Sequence, residues 1–243
     1  MGLQLSLQQV QVWLADRERR FTLDVPELSI ASGEAIGLTG PSGTGKTLLL
    51  ELLGLLRRPS AADTFQVTSE DGEMNLAEVW TRADTSPAEV RAQLFGFVPQ
   101  SGGLLPFLNV AENIALSGRI AGRSHPEWQA TLIDQLGLGD VQRLHPPALS
   151  IGQRQRVAIA RALAHKPAFV IADEPTAALD PDVAATAMGL LIDNAVTGGS
   201  GVIISSHDLT LLNQFALRRV ALSLISAPGA PDALSRLAEQ EAP

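Results

Sequence analysis

Leu3, Leu5 and Leu7 alternate with polar residues, which is the pattern of a strand with one face buried. Residues 3–13 and 20–30 read as two strands joined by the charged turn 15–19, and Ser32-Gly33 turns the chain into a short apolar run at 35–38. The run 48–56 is apolar at helical length, but Glu51 and Gly54 interrupt it. Residues 60–90 carry scattered polar positions without sustained periodicity and are expected to be short strands or loops. Helical spacing returns at Val110, Ile114 and Leu116, and again at Trp128, Leu132, Ile133 and Leu136, closed by Gly137 and Gly139. A helical insertion over about 101–160 follows from that spacing. Pro146-Pro147 breaks the chain before a helix beginning near Ser150. After it the order is strand 169–172, helix 183–194, strand 202–205, helix 209–215 and strand 220–225. Such alternation predicts an α/β fold with a mainly parallel sheet flanked by helices, preceded by an antiparallel β portion. The tail 227–243 is rich in Ala, Pro and acidic groups and is expected to be a loose amphipathic helix.

Composition narrows the class. A chain of 243 residues with 45% hydrophobic and 18% charged residues fits a single globular domain. No stretch reaches the roughly 18 uninterrupted apolar residues that cross a bilayer, and no signal peptide is expected. Met1-Gly2 with Ser6 formally matches a myristoylation signal, yet the alternation at Leu3, Leu5 and Leu7 favours a strand there. The absence of cysteine excludes disulfides and thiol chemistry. A formal net charge of −8 argues against a nucleic-acid partner, whose phosphates would demand Lys and Arg.

The chemistry concentrates in Gly40-Pro41-Ser42-Gly43-Thr44-Gly45-Lys46-Thr47, set between an apolar run and a predicted helix. This is a P-loop in the strand–loop–helix context it requires. Glycines let the backbone curl so that several N–H groups face one concavity, and the helix start adds its unpaired amides. Lys46 is expected to reach the β- and γ-phosphates of ATP, and the Thr47 hydroxyl to ligate Mg²⁺. The chain contains two lysines, Lys46 and Lys166, against sixteen arginines, and one of the two occupies this slot. A second acidic element, Asp173-Glu174, ends the apolar run 169–172. Ligands bind at the carboxyl ends of parallel strands, so Asp173 is a candidate Mg²⁺ holder and Glu174 a candidate to polarise the attacking water.

Between these elements lies Leu149-Ser150-Ile151-Gly152-Gln153-Arg154-Gln155-Arg156, which resembles the signature segment of ABC-type ATPases. Phe97-Val98-Pro99-Gln100 resembles that family's glutamine loop, Ala178-Leu179-Asp180 its interface loop, and Ser205-Ser206-His207-Asp208 its switch region. The resemblance covers about residues 3–225. It implies that Gln100 contacts Mg²⁺ and the water, that His207 orients Glu174 at the γ-phosphate, and that Asp180 lies at a dimer interface. It further implies that Ser150, Gly152 and Gln153 meet ATP held by a second copy, so that two chains sandwich two nucleotides head to tail. Catalysis would be transfer of the γ-phosphoryl group to water, and the work would be done on a separate membrane-spanning permease docked near 100–113. The chain would then sit at the cytoplasmic face of the inner membrane through that subunit. Leu104-Leu105-Pro106 and Val110-Ala111-Glu112-Asn113 resemble the lipoprotein-releasing and macrolide-export type.

Two departures stand out. Ile151 occupies a position that is commonly Gly, and the family's adenine-stacking aromatic has no tyrosine counterpart here. Arg17 to Arg20, Trp13 and Phe21 occupy that vicinity and leave the stacking residue unassigned. A soluble ABC-type ATPase acting on DNA or ribosomes is an alternative that usually carries tandem domains or coiled-coil insertions, absent here. A P-loop kinase or GTPase leaves the signature helix and Glu174 unexplained, and a non-hydrolysing regulator would rest on the two departures.

Overall fold

The computed structural model describes residues 2–16, 19–226 and 232–240. Two long strands, β1 (Gln4–Ala15) and β2 (Arg20–Ala31), form an antiparallel pair extended by β4 (Thr64–Ser69) and β5 (Gly72–Asn75). The strands β3 (Ala35–Thr39), β6 (Phe95–Val98), β7 (Phe169–Asp173), β8 (Gly201–Ser205) and β9 (Arg218–Leu224) run parallel to their neighbours in the order β9-β3-β8-β7-β6. Between the two portions lies β10 (Asp232–Gln240), parallel to β2 and antiparallel to β9. All ten described strands therefore join in one mixed sheet.

The expected tail helix is corrected by β10. Its buried positions Ser235 and Leu237 are two apart, the period of a strand, and its backbone pairs with β2 on one side and β9 on the other. Tertiary pairing overrides the helical preference of its Ala, Leu and Glu. The ends of the tail, 227–231 and 241–243, lie outside the described residues, as do Met1, Arg17 and Glu18.

The parallel strands divide their side chains between two cores. Phe169 and Ile171 of β7 join the leucines of α1 (Lys46–Leu53) and the antiparallel strands. Val170 and Ala172 face α3 (Val110–Ile120), α5 (Ile151–Leu163) and α6 (Pro181–Thr197) on the other side. Leu132 and Leu136, from and just after α4 (Pro126–Gln135), join this second core. The remaining described α-helices are α2 (Pro87–Leu94), started by a Ser86/Glu89 capping box, and the short α7 (Leu209–Gln214). β3, β7 and β8 end side by side, which brings the P-loop, Asp173-Glu174 and the segment after Ser205 to one edge.

Candidate active site

The loop between β3 and α1 is shaped by three glycines with φ of 141° at Gly40, 81° at Gly43 and 94° at Gly45. At Gly40 a Cβ would lie 2.5 Å from the Leu222 carbonyl oxygen, so that position admits no side chain without moving β9. Thr44 is buried and donates its hydroxyl to the Pro41 carbonyl at 2.9 Å, closing the turn. Lys46 is buried as well, with Nζ donating to the carbonyls of Gly40 at 2.8 Å and Pro41 at 3.3 Å. These contacts hold its ammonium over the concavity formed by the loop and the start of α1. A cavity of about 360 Å³ opens there, walled by Ser42, Gly43, Lys46, Thr47, Glu174 and His207 among others. The glycine-shaped backbone, the ammonium and the helix start together suit a polyphosphate.

The acidic pair is tied to the same place. Thr47 Oγ1 donates to Asp173 Oδ2 at 3.2 Å, while Ser205 Oγ donates to Asp173 Oδ1 at 2.7 Å and accepts from the Glu174 amide at 2.8 Å. Glu174 has a φ of 44°, a backbone state that costs a β-substituted residue on the order of 1 kcal/mol and that the Ser205 bond helps to hold. Its Oε1 lies 2.7 Å from His207 Nε2, and the same nitrogen lies 3.2 Å from Lys46 Nζ. A carboxylate only accepts and an ammonium only donates, so the tautomer with Nε2–H donates to Glu174 and leaves that nitrogen no lone pair for Lys46, whose protons go to the loop carbonyls. The paired hydroxyl and carboxylate of Thr47 and Asp173 are hard oxygen donors of the kind Mg²⁺ prefers. Among the described residues no group of three or more His, Asp or Glu side chains could hold a metal ion by itself.

A family profile described as ABC transporter matches residues 23–177. The chain belongs to the ABC transporter family. It is 39% identical over 188 residues to the lipoprotein-releasing system ATP-binding protein LolD of Hyphomonas neptunium, covering 76% of this chain and 79% of that one. It is 35% identical over 214 residues to the methionine import ATP-binding protein MetN of Mesorhizobium japonicum, covering 85% of this chain and 56% of that one. Among solved structures, the dimeric bacterial ABC transporter cassette MJ0796 superposes with a TM-score of 0.74 at 29% identity, covering 89% of this chain and 93% of that one. A dimeric post-hydrolysis state of the same cassette, bound to ADP and Pi, gives a TM-score of 0.73.

Most of the expected site residues of this ABC ATPase fall into two groups. Ser42, Gly43, Gly45, Lys46, Thr47, Glu174 and His207 wall the cavity described above, and Asp173 is tied to it through the Thr47 hydroxyl. Ser150, Gly152 and Asp180 instead line a separate cavity of about 640 Å³ together with Ile151 and Val183. Ser150 caps α5, its hydroxyl accepting from the Gln153 amide at 3.2 Å while the Gln153 side chain accepts from the Ser150 amide at 2.9 Å. Asp180 occupies the N-cap of α6 without a side-chain capping bond. Ile151 is about half exposed, at 52%, in the same concavity. Gln100 is exposed just beyond β6 and does not line the P-loop cavity. Its loop is anchored elsewhere: Arg161 of α5 donates to the carbonyls of Gly103 at 2.8 Å and Gly102 at 2.9 Å. Burial lowers the pKa of that guanidinium from its ordinary value.

Three residues carry roles that the motifs do not announce: Ser205, Leu14 and Asn113. Ser205 joins both carboxylate residues. Leu14 walls the P-loop cavity beside Phe21, one of the two aromatics in the expected vicinity. The fully buried Asn113 accepts from the Leu105 amide at 2.9 Å and donates to the carbonyls of Leu105, Leu108 and Asn109, fixing the turn after the glutamine loop. Its sequence signal was the Asn109/Glu112 capping box that starts α3. His165 is buried with Nε2 3.2 Å from the Phe95 carbonyl oxygen, and burial pushes its pKa down to about 4.

Proposed function

We propose that this chain is the ATP-hydrolysing subunit of an ABC transporter and that two copies close head to tail around ATP to drive a separate membrane-spanning permease. The observation that carries the reading is the convergence of Lys46, Thr47, Glu174 and His207 on one cavity, with Asp173 bonded to Thr47 and with Ser150, Gly152 and Asp180 on another cavity. A single chain leaves its signature helix start away from its own P-loop cavity, which a second copy would remedy.

In this reading the loop amides from Gly43 to Thr47 and the Lys46 ammonium bind the phosphates and neutralise their charge. Thr47 and Asp173 would hold Mg²⁺, joined by Gln100 on closure; the ion's chemistry is to offset charge on the β- and γ-oxygens. Glu174 orients and polarises the water that attacks the γ-phosphorus, and His207 holds the Glu174 carboxylate in place through the 2.7 Å contact. Asp173 stays oriented because Ser205 occupies its second oxygen. From the partner copy, the Ser150 hydroxyl, the Gly152 amide and Gln153 would close over the γ-phosphate, so that ATP stabilises the closed pair and hydrolysis releases it.

The permease would dock over Gln100 to Asn113. Phe107 is 71% exposed there, and Ile120 and Leu116 of α3 edge an adjoining groove of about 410 Å³ floored by Phe97, Pro99 and Arg161. Among the described residues no helix is long and apolar enough to cross a membrane, so the spanning segments would belong to the partner. The likeness to LolD favours the lipoprotein-releasing type and a place at the inner membrane.

The test compares wild-type protein with Glu174→Gln for phosphate release and for mass in solution with and without Mg-ATP. Expected are turnover by the wild type, a loss of at least about 100-fold in the variant, and an ATP-dependent dimer of the variant. ATP binding without hydrolysis by either protein would favour a regulator, and co-purification with ribosomes or DNA rather than a multi-span protein would overturn the transport role.

A further inference from the structure

Ile151 stands where glycine is common, yet nothing in its own backbone calls for glycine. It is the first residue of α5, its φ is not positive, and the Ser150/Gln153 capping box forms around it. The side chain is left in water: Ile151 is 52% exposed, and Val183 in the first turn of α6 is 43% exposed. Both line the cavity of about 640 Å³ between the starts of α5 and α6, beside Ser150, Gly152 and Asp180. The two segments are in close contact there, since a Cβ on Gly152 would lie 3.3 Å from Val183 Cγ1. Two β-branched side chains thus sit in one concavity with apolar area that the single chain does not cover.

We infer that Ile151 and Val183 form an apolar contact patch that a second copy covers when ATP closes the pair, so that hydrophobic burial holds the pair together alongside the nucleotide. The inference rests on the head-to-tail reading and adds to it two residues that phosphate chemistry does not call for. Continuity names the occupant. Ile151 lies between Ser150 and Gly152 in the chain and lines the same cavity, so whatever closes over those two covers Ile151 as well. A two-fold pair carries the patch twice, and every deletion within it is felt twice. About half of each side chain is at stake, which across both patches corresponds to roughly fivefold to thirtyfold in the dimer dissociation constant for Ile151. The sign separates this role from its opposite: an Ile151 that obstructed the partner would make the pair tighter when shortened.

The test is sedimentation of the full chain carrying Glu174→Gln in Mg-ATP, alone and combined with Ile151→Ala, Ile151→Leu, Val183→Ala or Val196→Ala. Ile151→Ala should weaken the dimer by about fivefold to thirtyfold and Val183→Ala by about threefold to tenfold. The loss should be the same at about 50 mM and about 500 mM salt, because an apolar contact is not screened. Ile151→Leu keeps the area and should stay within about threefold. Val196 is 39% exposed and sits about 20 Å further along α6, so Val196→Ala should change nothing. ATP affinity of the dilute monomer should be the same in all five proteins. A dimer that forms but ignores Ile151→Ala, or tightens with it, overturns this inference alone. An equal loss in Val196→Ala, or a loss of monomer ATP affinity in Ile151→Ala, would equally refute a contact role. If the Glu174→Gln protein binds ATP and stays monomeric at every concentration, the head-to-tail reading itself falls and takes the patch with it.

Discussion

Replacing Ser205 with Ala removes one oxygen atom and disconnects both carboxylate residues. The hydroxyl is wholly buried, donates to Asp173 at 2.7 Å and accepts from the Glu174 amide at 2.8 Å. A hydrogen bond to an ionised group contributes about 1.5–3 kcal/mol, and an amide left without an acceptor costs about 1–3 kcal/mol if water does not reach it. Some of this is recovered by local adjustment, so the expected net loss is roughly 2–4 kcal/mol. In a chain of this size that lowers Tm by roughly 5–12 °C. The functional effect should be selective: the P-loop makes no bond to Ser205, so ATP affinity should change little. Release of the strained Glu174 backbone and of one Asp173 oxygen should reduce kcat by about tenfold to a hundredfold. Differential scanning calorimetry gives the first quantity, and phosphate release with a parallel ATP titration gives the other two. A Tm within about 1 °C of wild type together with kcat within about twofold would refute the proposed bridging role, and an equal loss in ATP affinity would mean that the P-loop had been damaged instead.

Gly40→Ala should abolish ATP binding and lower Tm by more than Gly43→Ala, because its Cβ would meet the Leu222 carbonyl at 2.5 Å whereas a Cβ at Gly43 meets nothing within 4 Å; equal effects in thermal melts would contradict the geometry. His165 is neutral in the fold with a pKa near 4 and regains about 6.5 when unfolded, so the unfolded chain takes up its proton first. Stability from this residue is therefore intact above pH 6.5 and falls by on the order of 3 kcal/mol by pH 4. Urea titrations across that window should show a flatter decline for His165→Gln than for wild type, and parallel curves would argue against the buried neutral ring. Asn113→Ala strips four hydrogen-bonding contacts from the loop after Gln100 and should cost roughly 2–4 kcal/mol in denaturant unfolding. It should also lower ATPase stimulation by the permease more than basal turnover, and an unchanged ratio would separate that loop from coupling.

The polar and apolar pattern foretold most of the elements because each one's buried face repeats at its own period. β1, β2, the helices of the insertion and the second-half alternation of strands and helices all appear near their expected places. The tail did not follow, since its composition satisfies a helix while its position is dictated by the gap between β2 and β9. The apolar wall of the P-loop cavity was equally hidden: Trp13 and Phe21 look equivalent by composition and distance from the P-loop, and pairing of Leu14 with Phe21 places Phe21, not Trp13, on that wall.

The sequence by itself determined the P-loop, since eight contiguous residues carry the glycine conformations, the ammonium and the hydroxyl, and the backbone between them is too short to place them elsewhere. It also determined the chemical types of the acidic strand end and of the capped signature helix, both of which are local. Only the tertiary structure decided how these pieces meet. The Ser205 bridge to Asp173 and Glu174, the closeness of Gly40 to β9 and the orientation of Trp13 away from the cavity depend on strand register between distant segments. A one-residue slip would send each of those side chains to the opposite face, and register is fixed by the packing of the whole sheet on its two cores.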